Sequence, residues 1–503
     1  MYLIGAGPGD PGLITVKGLE ALREADVVVY DYLANPGLLA EARADVEMIY
    51  VGKKAGRHTM QQPDINALLV EKGAAGNVVA RLKGGDPYVF GRGGEEALAL
   101  AEAGVAFEVV PGVTAAIAAA AYAGIPVTHR GVAVSLGIVT GHEDPTKPAS
   151  QVDWSKAAMG TGTLAIYMGM KNLRRNVANI IAAGREESTP VAVVSWGTSP
   201  RQRCVTGTLS TIADVVEEEG IKAPAITIIG DVVGLRDRLQ WFEKLPLFGK
   251  RIVTTRPRAQ SAELQRMLQR LGAEVLVFPT IRIVPVQDYS AMDSAIGRLG
   301  EYDWLIFTSI NGVRIFFDRM LEQGRDGRAL AACKLAAIGP ATAQALRDRF
   351  LNVDCVPRRY VAEEVVAALE ALEEIRGKRI LLPRAGAARR VLPEELRRLG
   401  AEVEEIAVYQ TEADTDTDPP LLDRIMTADV HAITFTSSST VQNFATIVGE
   451  ERAKELSMRV VCASIGPITT KTARDLGIRI SVEAEEHVTA GLVRALCDHF
   501  AKK

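Results

Sequence analysis

The residues best placed to do chemistry sit in glycine-rich turns. Tyr2 to Gly12 reads YLIGAGPGDPG, in which Gly7, Gly9 and Gly12 keep the G-x-G-x-x-G spacing of a dinucleotide-binding turn. Asp31 follows nineteen residues after Gly12, at the end of the strand-like run DVVVY, where such a fold holds its ribose-binding acid. Spacing alone therefore allows an NAD-dependent oxidoreductase. Against it stand Pro8 and Pro11, which remove N–H donors that a pyrophosphate would need. A second glycine loop, RLKGGDPYVFGRGGEE from Arg81 to Glu96, has no use in a dehydrogenase. Tight glycine turns of this kind let main chain approach a flat ligand, with or without phosphate.

The elements that carry these turns belong to a large α/β chain. At 503 residues it is too long for one core, and about 150 residues per domain implies three or four domains. A net charge of −4 provides no basic field for nucleic acid or an anionic membrane, so a polyanionic ligand must be held by local clusters. Five scattered cysteines without C-x-x-C spacing and six histidines without ligand spacing indicate neither disulfides nor a metal site, and fit the reducing cytoplasm. The start carries no secretory pattern. The longest apolar run, Val113 to Val127, is shorter than the ~20 residues a bilayer needs and reads as a buried helix.

The carboxy-terminal half is an α/β unit used twice. GKRIVTTRPRAQSAELQRMLQRLGAEV from Gly249 is echoed 128 residues later by GKRILLPRAGAARRVLPEELRRLGAEV from Gly377. Phe307-Thr308-Ser309 falls opposite Phe435-Thr436-Ser437 at the same offset, and Ile338 opposite Ile465 at 127. Each unit alternates strand, polar turn and helix, as in Ala262 to Leu271 closed by Gly272. That alternation predicts parallel sheets covered by helices, with helix amino termini after TTRP, FTS and IGP offering N–H groups to anions. Serine and threonine there serve equally well as plain N-caps.

The first half, in order, carries YLIGAGPGDPGLIT, VVYDYL, YVGKKAGRH, RLKGGDPYVFGRGGEE, VVPGVTAAIAAAAYAGIPVTHR, TGH, YMGM and SWGT. Over roughly 240 residues it resembles the uroporphyrinogen-III C-methyltransferases of the tetrapyrrole methylase family. The second half, through GKRIVTTRP, FTSINGV, IGPAT, VYQT and FTSSS, resembles uroporphyrinogen-III synthase. The resemblance implies a tetrapyrrole methylase fold at 1–238, with subdomains of about 1–112 and 113–238. A linker at 239–248 leads to a synthase at 249–503, in two flavodoxin-like parallel-sheet lobes, lobe one 249–284 plus 409–503 and lobe two 285–408.

The same resemblance implies the chemistry. S-adenosylmethionine, which has no phosphate, is expected against Pro8, Gly84, Gly85, Asp86, Val89, Thr114, Ala115, Met168 and Gly197. Asp31 is expected as proton acceptor and Lys53 as proton donor in two methyl transfers that give precorrin-2; a plain Asp31–Lys53 ion pair is the bland alternative. Uroporphyrinogen III carries eight carboxylates, which gives a use to Lys54, Arg57, His58, Arg81, Arg92 and Arg130 near those loops. For the synthase half the resemblance implies cofactor-free cyclisation of hydroxymethylbilane with inversion of its last ring. Tyr409 is expected nearest that chemistry, or else as a hinge-packing aromatic, and Thr308, Ser309, Thr436, Ser437 and Ser438 are expected to bind carboxylates. The family further implies a homodimer through the methylase half. A non-catalytic ligand-sensing second half is the alternative of a different class.

Overall fold

The computed structural model describes residues 1–52, 60–141, 152–359, 362–386, 388, 390–414 and 419–501. Two compact units divide the chain: Met1–Ile252 with Gln265–Val275 and Leu496–Lys503, and Val253–Leu264 with Leu276–Ala495.

In the first unit, five short strands form an all-parallel sheet: β1 Tyr2–Gly5, β2 Val27–Tyr30, β3 Glu47–Tyr50, β4 Val79–Lys83 and β5 Glu108–Val110, in the order β3-β2-β4-β1-β5. The run VVV of β2 is buried throughout, as expected of a strand covered on both faces. In β4 the period of two puts Ala80 and Leu82 into an apolar cluster on one face and leaves Arg81 and Lys83 together on the other, facing the helix Gly93–Glu102. Because the strands run parallel, the turns after β1, β4 and β5 emerge at one edge, where open α/β sheets bind ligands.

A second sheet in this unit comprises β6 Leu136–Thr140, β7 Thr163–Tyr167, β8 Pro190–Ser195, β9 Arg203–Thr208 and β10 Ala225–Ile229, ordered β6-β7-β10-β8-β9. It is mixed: β10 is antiparallel to both β7 and β8, and β9 to β8. The alanine-rich helix Ala115–Tyr122 packs against it through Ala116, Ala119 and Ala120. Residues 236–248, expected to include the linker, are folded and packed. Phe242 is buried against Tyr122, the Trp241 indole donates to the Ala121 carbonyl, and Arg236 bonds the Ala123 carbonyl and Glu243.

The duplicated half builds two sheets. One is ordered β12-β11-β18-β19-β20, from β11 Arg251–Thr254, β12 Glu274–Val277, β18 Ala432–Phe435, β19 Val461–Ser464 and β20 Val482–Glu483. The other is ordered β13-β17-β16-β14-β15, from β13 Ile281–Pro285, β14 Trp304–Phe307, β15 Lys334–Ala337, β16 Arg379–Ala385 and β17 Glu402–Ala413. Helices start after β14, β15, β18 and β19, at Ile310, Pro340, Ser438 and Pro467. β14 to β17 pair in parallel, as do β18, β19 and β20, whereas β13 runs antiparallel to β17, in register from Ile281 opposite Ala413 to Pro285 opposite Tyr409. This ladder corrects two expectations. Residues 281–284 and 409–413 lie in the sheet of lobe two, and the two crossing segments pair with each other because each supplies the other's main-chain partners.

Candidate functional site

Three turns of the first sheet meet without side chains. Gly7 and Gly85 exchange both main-chain hydrogen bonds, at 3.2 and 2.8 Å, and the Ala6 N–H donates to the Lys83 carbonyl at 2.7 Å. A β-carbon on Gly112 would stand 2.3 Å from the Gly85 carbonyl oxygen and 2.6 Å from the Gly5 Cα, so only glycine permits this contact. Asp86 fixes the junction from the side: its carboxylate accepts from the Gly112 N–H at 3.0 Å and the Tyr88 N–H at 2.8 Å.

The second subdomain closes on these turns. Asp10 accepts from the Tyr122 hydroxyl and the Gly12 N–H, both at 2.7 Å, while its own N–H donates to Thr198. Tyr32 stacks edge-on against Trp196 and Phe90 lies against Tyr167, with centroids 5.8 and 5.2 Å apart. The Tyr167 hydroxyl accepts from the Ala116 N–H at 2.7 Å and bonds the Thr114 hydroxyl, capping the helix Ala115–Tyr122; burial pushes its pKa up, so it stays a neutral phenol. Gly197 is pressed onto that helix, where a β-carbon would lie 2.4 Å from the Ala119 Cβ.

Backbone strain gathers here. Of the seven non-glycine residues with left-handed backbone among the described residues, Phe90, Arg92, Met168, Trp196 and Thr198 belong to these loops. Each such residue costs on the order of 1–3 kcal/mol, and they concentrate where a ligand dictates geometry. Met168, at φ +53° directly after β7, is half exposed rather than a core filler.

The expected donor residues thus converge. Pro8, Gly85, Asp86, Val89, Thr114, Ala115, Met168 and Gly197 lie on the facing turns, and Gly84 sits beside them, packed on Leu33. The dinucleotide reading meets a physical obstacle in the same turns: the Gly7 N–H is taken by Gly85, Gly12 by the Asp10 carboxylate and Leu13 by the Asp10 carbonyl. Three of the N–H groups that could face a pyrophosphate are thereby occupied.

Asp31 lies just beyond β2. One carboxylate oxygen accepts from the Leu33 N–H at 3.1 Å and the other from Arg81 at 3.2 Å. Arg81 is not a rim residue, and the expectation that it grips substrate is corrected. Its side chain is only 3 % exposed and also reaches Glu96, which is wholly buried and accepts from Lys83 at 2.8 Å and from Gln62. Strand alternation turns Arg81 inward with Lys83. Burial, reinforced by the adjacent Arg81 charge, lowers the Lys83 pKa, and Glu96 pulls it back up. Arg92 is exposed but held bidentately by Glu95 at 2.8 and 2.7 Å; Arg130 is exposed. Lys53, Lys54, Arg57 and His58 lie outside the described residues.

In the second unit, Tyr409 is buried in β17 with its hydroxyl 3.0 Å from the Ser309 hydroxyl. Ser309 is the N-cap of the helix Ile310–Glu322 and accepts from the Gly312 N–H, and Thr308 precedes it. The repeat places Ser437 as N-cap of the helix Ser438–Val448, in a capping box with Thr440. Thr436 accepts from Arg256 at 3.1 Å, and Ser438 accepts from Thr472 at 2.8 Å. Of these hydroxyls, those of Ser309 and Ser437 serve as N-caps, and those of Thr436 and Ser438 accept from Arg256 and Thr472. Sequence reasoning missed Tyr167, Asp10, Thr198 and Arg256. Tyr167 and Arg256 stand inside motifs that had been read for a neighbour, YMG for Met168 and TTRP for its helix start.

Among the described residues no group of three His, Cys, Asp or Glu side chains is arranged for a metal, and no helix is long and apolar enough to cross a membrane. The chain thus carries two α/β sheets whose turns meet at glycines, followed by a duplicated pair of α/β sheets, the architecture that the sequence resemblance implies. Residues 1–213 match the family model for tetrapyrrole (corrin/porphyrin) methylases and 262–494 that for uroporphyrinogen-III synthase HemD. A porphyrin biosynthesis protein HemD of Ruminiclostridium josui is 37 % identical over 98 % of this chain and 97 % of its own length. A uroporphyrinogen-III C-methyltransferase of Bacillus subtilis is 43 % identical over 75 % of this chain and 77 % of its own. An S-adenosyl-L-methionine-dependent uroporphyrinogen III methyltransferase of Methanosarcina barkeri is 53 % identical over 48 % and 94 %. The chain belongs to the porphyrin biosynthesis family in which a uroporphyrinogen-III C-methyltransferase domain is fused to a uroporphyrinogen-III synthase domain.

Proposed function

We propose that the chain performs two consecutive steps: its second half closes hydroxymethylbilane to uroporphyrinogen III, and its first half methylates that product twice to give precorrin-2. The observation that carries the first half is the clasp of Gly5, Gly85 and Gly112, where main chain packs directly on main chain, while the Gly7, Gly12 and Leu13 N–H groups beside it are already taken within the protein. S-adenosylmethionine fits this chemistry, and when bound it supplies an electrophilic methyl group on its sulfonium. The turns carrying Pro8, Gly84, Gly85, Asp86, Val89, Thr114, Ala115, Met168 and Gly197 hold it and exclude water, which orients the transfer. Methylation at carbon leaves a proton to be removed, and Asp31 accepts it; the hydrogen bond from Arg81 aims that carboxylate. Lys53 is the proton donor, and Lys54, Arg57, His58, Arg92 and Arg130 hold substrate carboxylates.

In the second half Tyr409 stands nearest the reacting ring. Thr308, Ser309, Thr436, Ser437 and Ser438, with the helix starts behind them, bind carboxylates. The reaction needs no cofactor: a hydroxyl leaves an electron-rich pyrrole readily, and the protein's task is to control chain shape. The protein acts in the cytoplasm as a homodimer through its methylase half, with residues 1–238 as methyltransferase and 249–503 as synthase. Supplying hydroxymethylbilane and S-adenosylmethionine together tests this. A dimethylated type III product, seen by absorbance and mass, is expected; only the spontaneous type I ring would refute it.

A further inference from the structure

The two halves of the repeat place an arginine at the same point and treat it differently. Arg256 follows β11 and Arg384 closes β16, 128 residues apart, at matched positions of GKRIVTTRP and GKRILLPRAG. Arg384 is buried and ion-paired at 3.2 Å to Glu405 of the neighbouring strand β17, whose other oxygen Arg397 holds at 3.0 Å. The residue that matches Glu405 in the first copy is Val277 of β12, which carries no charge. Arg256 accordingly has no carboxylate within ion-pair distance among the described residues. Its guanidinium donates instead to two neutral hydroxyls: Thr436 at 3.1 Å, just before the helix Ser438–Val448, and Thr489 at 3.4 Å, the first residue of the helix Thr489–Ala501. Burial lowers its pKa, as expected of a largely desolvated cation, and Glu263 offsets this only from a distance.

A guanidinium has five N–H donors and remains charged in proteins, so one that is half-buried without a counter-ion, as Arg256 is, gains from an anion that joins it. The two helix starts add positive potential at the same spot. We propose that Arg256 is the carboxylate anchor of lobe one, and that an acetate or propionate group of the linear tetrapyrrole takes the place that Glu405 fills beside Arg384 in lobe two. The inference rests on the synthase reading given above. It makes the lobes inequivalent despite the repeat: lobe one fixes the substrate by charge, and lobe two, its arginine already paired to Glu405, presents Tyr409.

The test uses the full chain and the initial rate of type III ring formation from hydroxymethylbilane. Arg256→Gln is expected to raise KM at least tenfold with kcat within about threefold, and Arg256→Lys to raise it less, since an ammonium keeps the charge but not the fork. Val277→Glu, which gives Arg256 the internal partner that Arg384 has, is expected to raise KM as the Gln variant does. Methylation of supplied uroporphyrinogen III should stay at the wild-type rate in all three. Wild-type KM in Arg256→Gln, or in Arg256→Lys and Val277→Glu should the Gln variant not fold, overturns the anchor alone. A wild-type chain that does not outpace spontaneous closure overturns the synthase reading, and the anchor with it.

Discussion

The methylase and synthase halves face related poly-acids with opposite construction. In the first half Arg81 and Lys83 are buried and both bond one oxygen of the buried Glu96, and the sheet turns meet through main chain at Gly5, Gly85 and Gly112. In the second half hydroxyl-capped helix starts recur after matched strands, with an arginine at the matched position of each copy. The difference follows from the tasks. Methyl transfer demands a fixed distance between two ligands, which rigid close packing supplies. Ring closure demands that a flexible chain be folded, which several modest anion contacts spread over two lobes can do.

The comparison breaks most visibly at Glu96. Glu96→Gln leaves Arg81 and Lys83 buried without their carboxylate and should cost about 3–5 kcal/mol of first-unit stability, read by denaturant unfolding, with ring closure unchanged. An unaltered midpoint would mean the cluster is not what holds β4 to its helix. Gly112→Ala should next reduce methyl transfer by roughly 100-fold, since the added carbon must push the Gly85 turn away from the ligand. Its synthase rate serves as internal control. Tyr409→Phe reverses the pattern: ring closure should fall about tenfold while methylation of supplied uroporphyrinogen III persists. Equal loss of both activities in either variant would erase the distinction between the halves.

The smallest effect belongs to the exposed Arg92–Glu95 pair. The bond to Arg92 lowers the Glu95 pKa, so its contribution is present above the unfolded carboxylate pKa and fades as pH falls through the folded value. Solvent screening keeps it below about 0.5 kcal/mol, so Glu95→Gln should leave the unfolding midpoint at pH 7 almost unmoved.

Much of this was legible in the sequence because glycine is demanded by contact rather than by habit: GAGPG, GGDP and PG mark the three turns that touch. The repeat likewise announced the matched strands and helix starts. Arg81 was not legible. An arginine near a strand end reads the same whether it faces solvent or a glutamate fifteen residues on, and only the parity of β4 against the helix Gly93–Glu102 decides. Tyr167 was hidden for a related reason, since its partners Thr114 and Ala116 are more than fifty residues away. The lobe boundary moved because β13 and β17 recognise each other by main-chain bonding, which side-chain pattern does not encode.

The central claim is that the first half offers a phosphate-free, main-chain surface. Parallel calorimetric titrations with S-adenosylhomocysteine and with NAD, on the full chain and on Gly112→Ala, test it most directly. One S-adenosylhomocysteine per chain, lost in the variant, and no heat from NAD are expected. Saturable NAD binding with no response to S-adenosylhomocysteine would contradict it.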